Sequence, residues 1–103
     1  MTRELSEVQS KAVSANDVLA EAAAALGNRA VERDAPDGER SMATTVALFN
    51  TVKGTSLTEG DGWLFMILLK IVRGEQGKFR LDDYVDGSAY FALKGECESK
   101  SVE

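Results

Sequence analysis

The chain has 103 residues, of which 44% are hydrophobic and 28% charged, a composition typical of one globular domain that excludes two domains and general disorder. Its net charge is −5 at pH 7, and its 12 Lys and Arg residues form no basic run, so the sequence lacks the charge pattern of a nucleic-acid-binding protein. The sequence has no histidine, which excludes histidine-based acid–base catalysis and leaves oxygen ligands, hence Mg²⁺, Mn²⁺ or Ca²⁺, for any metal site.

The cysteine content and the hydropathy of the sequence indicate the cellular compartment of the protein. Cys97 is the single cysteine, so no disulfide forms within the chain and a reducing compartment fits best. Residues 1–11 are polar and lack the apolar segment of a signal peptide. The most apolar run, Trp63–Val72, contains Lys70 and is shorter than the ~20 residues of a membrane span. We therefore expect a cytoplasmic protein without a membrane segment.

The first predicted helix covers about Arg3–Leu26, because apolar residues recur there at helical spacing. A break is expected near Ser14–Asp17, where Ser14 or Asn16 is a suitable N-cap, and residues 1–13 then form an N-terminal helical extension. The pair Gly27-Asn28 predicts the end of the helix. A charged loop should follow up to Arg40, and a loop of that length is often functional or mobile.

Two further helices are predicted in the middle of the chain. The second covers Ser41–Lys53 and ends at Gly54. The third begins at Thr58, with Asp61 completing a capping box, and extends to about residue 73. Because the third helix is apolar nearly all round, we expect it to be central and buried.

The fourth predicted helix begins near Asp82 and frays after Gly95, which leaves residues 96–103 as a flexible tail. A short strand over residues 78–84 is a less favoured alternative. The whole pattern predicts one all-α domain over residues 1–103, a small bundle of four to five helices around the apolar helix at 58–73.

Lys70 is the most informative polar residue, because it lies inside the apolar helix and therefore needs a partner or a route to water. Helical spacing places it on one face with Arg73 and Trp63. Lys70 either extends to water or pairs with a carboxylate on another helix, or it contacts a ligand phosphate together with Arg73. Arg33, in the predicted loop, is a further candidate phosphate-binding residue.

Asp83 and Asp86 form the best carboxylate pair, since their i, i+3 spacing places both on one helical face. Two such carboxylates, assisted by Glu39, could hold a hydrated Mg²⁺. Asp83 is equally suited to the first turn of a helix, and Asp86 to an ion pair with Lys70 or Arg73. We predict no catalytic nucleophile, because the serines and Cys97 have no base beside them in any recognisable motif.

From about Asp17 to Glu96 the chain resembles a family of small, largely uncharacterised proteins of bacteriophages and prophages. The most specific shared elements are Leu-Leu-Lys-x-x-Arg at Leu68–Arg73 and Tyr-Val-Asp…Ala-Tyr at Tyr84–Tyr90. The recurrent polar positions of that family fall on Lys70, Arg73, Asp83 and Asp86. This resemblance implies a phage-type accessory protein in the host cytoplasm.

The helical layout is also reminiscent of the MazG-like all-α nucleoside triphosphate pyrophosphatases, which hold Mg²⁺ with acidic pairs on two helices. Asp83 and Asp86 resemble the second acidic element of that group, with Glu39 as a distant supplement. The Glu-Glu-x-x-Glu helix that supplies its first acidic element is absent from this sequence. Half of the expected metal ligands are therefore missing.

Three functions follow from these observations. The first is a non-catalytic protein that binds a host or phage macromolecule and that could also form a homodimer. The second is a Mg²⁺-dependent nucleotide phosphohydrolase or nucleotide-binding domain. The third is DNA mimicry, against which the 12 basic residues argue because a DNA mimic needs an evenly acidic surface.

Overall fold

The computed structural model describes residues 12–33 and 41–100, and the side chains of residues 12–28 and 41–100. The described residues form four helices: α1 (Ala15–Arg33), α2 (Ser41–Lys53), α3 (Glu59–Gly74) and α4 (Leu81–Lys100). The predicted all-α fold is confirmed. No strand occurs within these residues: residues 78–80 lead into α4, and residues 81–84 form its first turn.

Reciprocal hydrogen bonds cap two of the helices where the sequence predicted a helix start. The Thr58 amide donates to Asp61 Oδ2 at 2.9 Å, and the Asp61 amide donates to Thr58 Oγ1 at 3.1 Å. Before α1, Ser14 and Asp17 exchange the same two bonds at 3.2 and 3.0 Å. Each pair satisfies two amides that have no partner within the helix, so both helix starts are defined locally.

Asn50 organises the connection between α2 and α3. Its side-chain oxygen accepts from the Leu57 amide at 3.0 Å and from the Thr55 hydroxyl at 2.7 Å, and its Nδ2 donates to the Leu57 carbonyl at 2.9 Å. Gly54 ends α2 with a φ of 68°, a left-handed conformation that favours glycine. One side chain therefore substitutes for backbone pairing across the connection.

Two predicted helix ends were wrong. Helix α1 continues through Gly27-Asn28 to Arg33, because α1 packs along α4 and a glycine inside a helix costs only about 1 kcal/mol. Helix α4 continues to Lys100, where a flexible tail was expected from Glu96. Side-chain interactions support its last turns, since Lys94 Nζ lies 2.9 Å from Glu98 Oε2. The predicted extension over residues 1–13 falls almost entirely outside the described residues.

Helix α4 lies between α1 and α3, and α2 packs on α3. Glycines allow the close approaches. A Cβ on Gly62 would lie 2.8 Å from a Val46 methyl of α2, whereas one on Gly87 would meet the Lys70 Cβ of α3 at 3.6 Å. The buried hydrophobic residues of the described part are few and small for a domain of this length: Ala22, Val46, Trp63, Ala89 and Leu93.

One side of α3 has no neighbour among the described helices. Its exposed side chains are all aliphatic or aromatic, and we call them the α3 apolar face: Leu64, Phe65, Leu68, Ile71 and Val72. Helix α3 is central, as predicted, in the sense that it contacts both α2 and α4. The expectation that α3 is buried all round was wrong. No helix in the described part is long and apolar enough to cross a membrane.

Candidate functional sites: a buried Lys–Asp cluster and an exposed apolar face

Lys70 is held between two carboxylates of α4. Its Nζ lies 3.0 Å from Asp86 Oδ2 and 3.9 Å from Asp83 Oδ1. Lys70 is 8% exposed and Asp83 6%, so both charges are removed from water, whereas Asp86 retains partial access to solvent. The expected pairing of Lys70 with a carboxylate on another helix therefore occurs. Such pairing offsets the desolvation of a buried ammonium group.

The side chain of Asp83 does not have the simple helix-start role that its position in the first turn suggested. It lies in the first turn of α4, but its side chain points inward toward α3 rather than capping the helix. Asp82 is instead the exposed acid of that turn and lies 3.8 Å from Arg80. Helical spacing explains the pair: Asp83 and Asp86 face α3 together, and Gly87 lies next to Lys70 beside them. Two carboxylates and one ammonium group leave the cluster with a formal charge of −1.

A groove of about 470 Å³ opens beside this cluster, between the end of α3 and the start of α4. Its charged lining residues are Lys70, Asp83 and Glu75. Much of its apolar wall comes from Ile67, Ile71 and Phe91. Tyr84 closes one end, where its hydroxyl donates to the Gly74 carbonyl at 3.4 Å and its ring stacks on Phe79 with centroids 5.5 Å apart. The groove is therefore mainly apolar, with a few charged residues in its lining.

The other predicted site residues do not join the cluster within the described part of the chain. Arg73 is exposed near the end of α3 and forms no ion pair with a described carboxylate. The side chain of Arg33 and the whole of Glu39 fall outside the described residues, so their predicted roles stay predictions. The described residues contain no group of three or more His, Cys, Asp or Glu side chains that could hold a metal ion.

The fit of Mg²⁺ to the two aspartates is incomplete. Mg²⁺ prefers six oxygen ligands in octahedral geometry. Asp83 and Asp86 offer carboxylate oxygens, but the Lys70 ammonium group already lies at hydrogen-bond distance from Asp86. A metal ion placed between the carboxylates would therefore meet a like charge.

The second candidate site is the α3 apolar face. Its residues follow one another at spacings of one, three, three and one, which places them on a single side of the helix. Phe65 is 73% exposed, and the other four members are 40–56% exposed. Ile71 also lines the groove, so the face and the groove are continuous at that residue.

Comparison with known proteins identifies a family. Residues 17–98 match a family model described as a domain of unknown function, DUF6378. The chain belongs to this family. The DUF6378 span includes α3, the Lys70 cluster and nearly all of α4, so both candidate sites lie within it. No curated protein and no solved structure shows significant similarity to the chain.

Sequence reasoning found the charged residues of the DUF6378 domain but missed the exposed face. Lys70, Asp83 and Asp86 were each singled out by their position in a helical pattern, and the structure brings the three together. The α3 apolar face was assigned to the core because its residues are apolar. The signal available in the sequence was that α3 carries large apolar side chains nearly all round, whereas a helix at the edge of a small bundle is covered on only part of its surface.

Proposed function

We propose that this chain is a non-catalytic binding protein that contacts a protein partner through the α3 apolar face. The observation that carries the proposal is the exposure of five adjacent large apolar side chains on the helix that should form the core. Large exposed apolar patches on globular domains mark interaction surfaces, whereas single exposed apolar residues do not.

The composition of the face supports a protein partner. Between Asp61 and Glu75 this side of α3 carries no charged or polar side chain. Charged residues are depleted at the centres of protein interfaces, and aromatic side chains such as Phe65 are enriched there. Apolar surface of this kind gains free energy when a partner removes it from water.

The biological setting follows from the resemblance to bacteriophage and prophage proteins. An accessory protein of that type acts on a host or phage macromolecule in the host cytoplasm. The mixed charge of the chain favours a protein over a nucleic acid as the partner. The same resemblance supports a small protein that acts by binding another macromolecule.

Site-specific photo-crosslinking tests this proposal. Phe65 would be replaced by a photoreactive phenylalanine analogue in cells that carry the chain in its natural setting. We expect a discrete crosslinked protein at position 65. Its yield should fall strongly when Leu68→Asp is added, because a charge at the centre of the face must be desolvated on binding.

The matched control carries the same analogue at Leu19, an apolar residue of α1 that is 58% exposed. Equal crosslinking at both positions would indicate non-specific contact and would contradict the proposal. The absence of any product at position 65, in a chain with an unchanged helical circular dichroism spectrum, would contradict it as well.

A Mg²⁺-dependent nucleotide phosphohydrolase or nucleotide-binding domain is the second candidate. It is favoured by the convergence of Lys70, Asp83 and Asp86 beside a groove. In this reading the two aspartates and Glu39 supply oxygen ligands to the metal, while Lys70, Arg73 and Arg33 neutralise phosphate charge. The Lys70–Asp86 contact would then have to open when nucleotide binds.

Thermal unfolding with nucleoside mono-, di- and triphosphates, with and without Mg²⁺, tests the second candidate. A ligand at about 100 times its dissociation constant stabilises the fold by about 2.7 kcal/mol, which raises the unfolding midpoint of so small a domain by roughly 10 °C or more. A Mg²⁺-dependent shift that Asp86→Asn abolishes would support nucleotide binding. No shift with any nucleotide would exclude it as a function of the groove.

A further inference from the structure

The α3 apolar face has a symmetry that identifies its partner more closely. Leu68 lies at its centre, both along the helix and around it. Two residues lie on either side of this centre at equal distances along the chain, Leu64 with Val72 and Phe65 with Ile71. All four are exposed and apolar.

A two-fold axis at Leu68, perpendicular to the helix, would bring these exposed residues of two copies into contact. It would set α3 of a second copy antiparallel to the first, with Leu68 against Leu68 of the other copy. Phe65 would then lie beside Val72 of the other copy, and Leu64 beside Ile71, because the two members of each pair lie on the same side of the contact. A two-fold interface needs one patch that is complementary to itself, and this face meets that requirement.

The area of the face is sufficient for such an interface. An aromatic side chain carries roughly 150–250 Å² of surface and an aliphatic one somewhat less, so five residues exposed by 40–73% present on the order of 500 Å². Two copies would bury about 1,000 Å² in total, which is the lower bound for a specific interface. Ile71 leads on to Phe91 across the groove and extends the apolar surface further.

A second copy would also stabilise the fold of each chain. The described part buries five hydrophobic side chains, and Trp63 and Leu93 are the largest of them. So small a core in the described part would gain stability from any surface that covers the α3 apolar face. Another copy of the chain is always available to cover it.

We propose that the chain forms an antiparallel homodimer in which the two α3 apolar faces pack around a two-fold axis at Leu68. This inference rests on the proposed function and names its partner. The ends of the contact carry acidic side chains, since the axis sets Asp61 of one copy near Glu75 of the other. The antiparallel arrangement therefore places two like charges at each end of the interface.

Sedimentation equilibrium of the purified chain tests the dimer. We expect a dimer whose dissociation constant rises roughly 30-fold or more in Leu68→Asp, because the substitution places two charges at the two-fold axis. Leu19→Asp is the matched control and should leave the dimer intact. A chain that stays monomeric at every accessible concentration would overturn the homodimer.

Glu75→Lys tests the orientation. In the antiparallel dimer the new lysine faces Asp61 of the other copy, so the dissociation constant should fall roughly two- to fivefold at low salt. In a parallel dimer, position 75 faces position 75 of the other copy, so a pair of lysines would replace a pair of glutamates and the dissociation constant should change little. A rise, or no change, would overturn the antiparallel arrangement.

The two proposals fail in different ways. A monomer that crosslinks to another protein through position 65 would overturn the homodimer and leave the binding function intact. A monomer without any crosslinked product would overturn both. A crosslinked product with the mass of two chains, seen together with a dimer in sedimentation, would support both.

Discussion

At the scale of single residues, the Lys70 cluster links α3 to α4 by charge. Lys70→Met should destabilise the fold by about 3–5 kcal/mol, because it leaves the buried Asp83 carboxylate without its counter-charge. The loss should appear as a lower midpoint in urea unfolding. Arg80→Met is the matched control. This substitution removes an exposed ion pair, in which Arg80 Nε lies 3.8 Å from Asp82 Oδ1, and should change the free energy of unfolding by at most about 1 kcal/mol. Equal effects of the two substitutions would show that the cluster is not structural.

Cys97 gives a pH-dependent prediction. Burial raises the pKa of its thiol above the usual value, and the nearby carboxylates of Glu59 and Glu98 raise it further. The thiolate should therefore form at higher pH in the folded chain than in the unfolded chain. Stability should fall as the pH rises past the unfolded pKa, because the unfolded thiol then loses its proton more readily.

Alkylation by iodoacetamide measures this shift directly, since the thiolate is the reacting form. We expect the rate–pH curve of native Cys97 to lie at higher pH than the curve in denaturant. Glu59→Gln should move the native curve part of the way back. Identical native and denatured curves would contradict the effect of burial and charge on this thiol.

At the scale of helices, contact glycines decide how closely the elements pack. Gly62→Ala should destabilise the fold by about 1–3 kcal/mol, because the new methyl would lie 2.8 Å from Val46, a stiff buried side chain of α2. Gly87→Ala should be neutral or stabilising by up to about 1 kcal/mol, since its methyl meets the Lys70 Cβ at an ordinary 3.6 Å and alanine favours the helix. Urea unfolding of both variants measures the difference. A loss of stability at Gly87 equal to that at Gly62 would contradict the packing described.

The helix starts and the ends of α2 and α3 could be predicted from the sequence, whereas the ends of α1 and α4 could not. A start such as that of α3 depends on residues a few positions apart, because Thr58 and Asp61 bind each other's amides. An end depends on what the helix packs against. Gly27 carries a local end signal, yet α1 continues past it along α4. The role of Asn50 was missed for a related reason, since its partners lie across a turn.

At the scale of the whole molecule, the described residues expose more large apolar side chains than they bury. Composition predicted a globular domain and the helical pattern predicted the all-α class, which the structure confirms. The charged cluster could be predicted in part, because Lys70 in an apolar helix requires a carboxylate. The exposure of the α3 apolar face could not be predicted, because the apolar pattern of α3 is the same whether the surface that covers it belongs to this chain or to another.

The most direct test of a covered α3 face is the accessibility of position 72 in the cell. Val72→Cys is a small change at a residue 53% exposed in the isolated chain, and Leu19→Cys is a matched control at 58%. Both would be made with Cys97→Ser and treated with a thiol-alkylating reagent in intact cells. If a partner covers the face, Cys at position 72 should react at least roughly tenfold more slowly than Cys at position 19. Equal rates would show that the face is open to solvent and would contradict the proposed function.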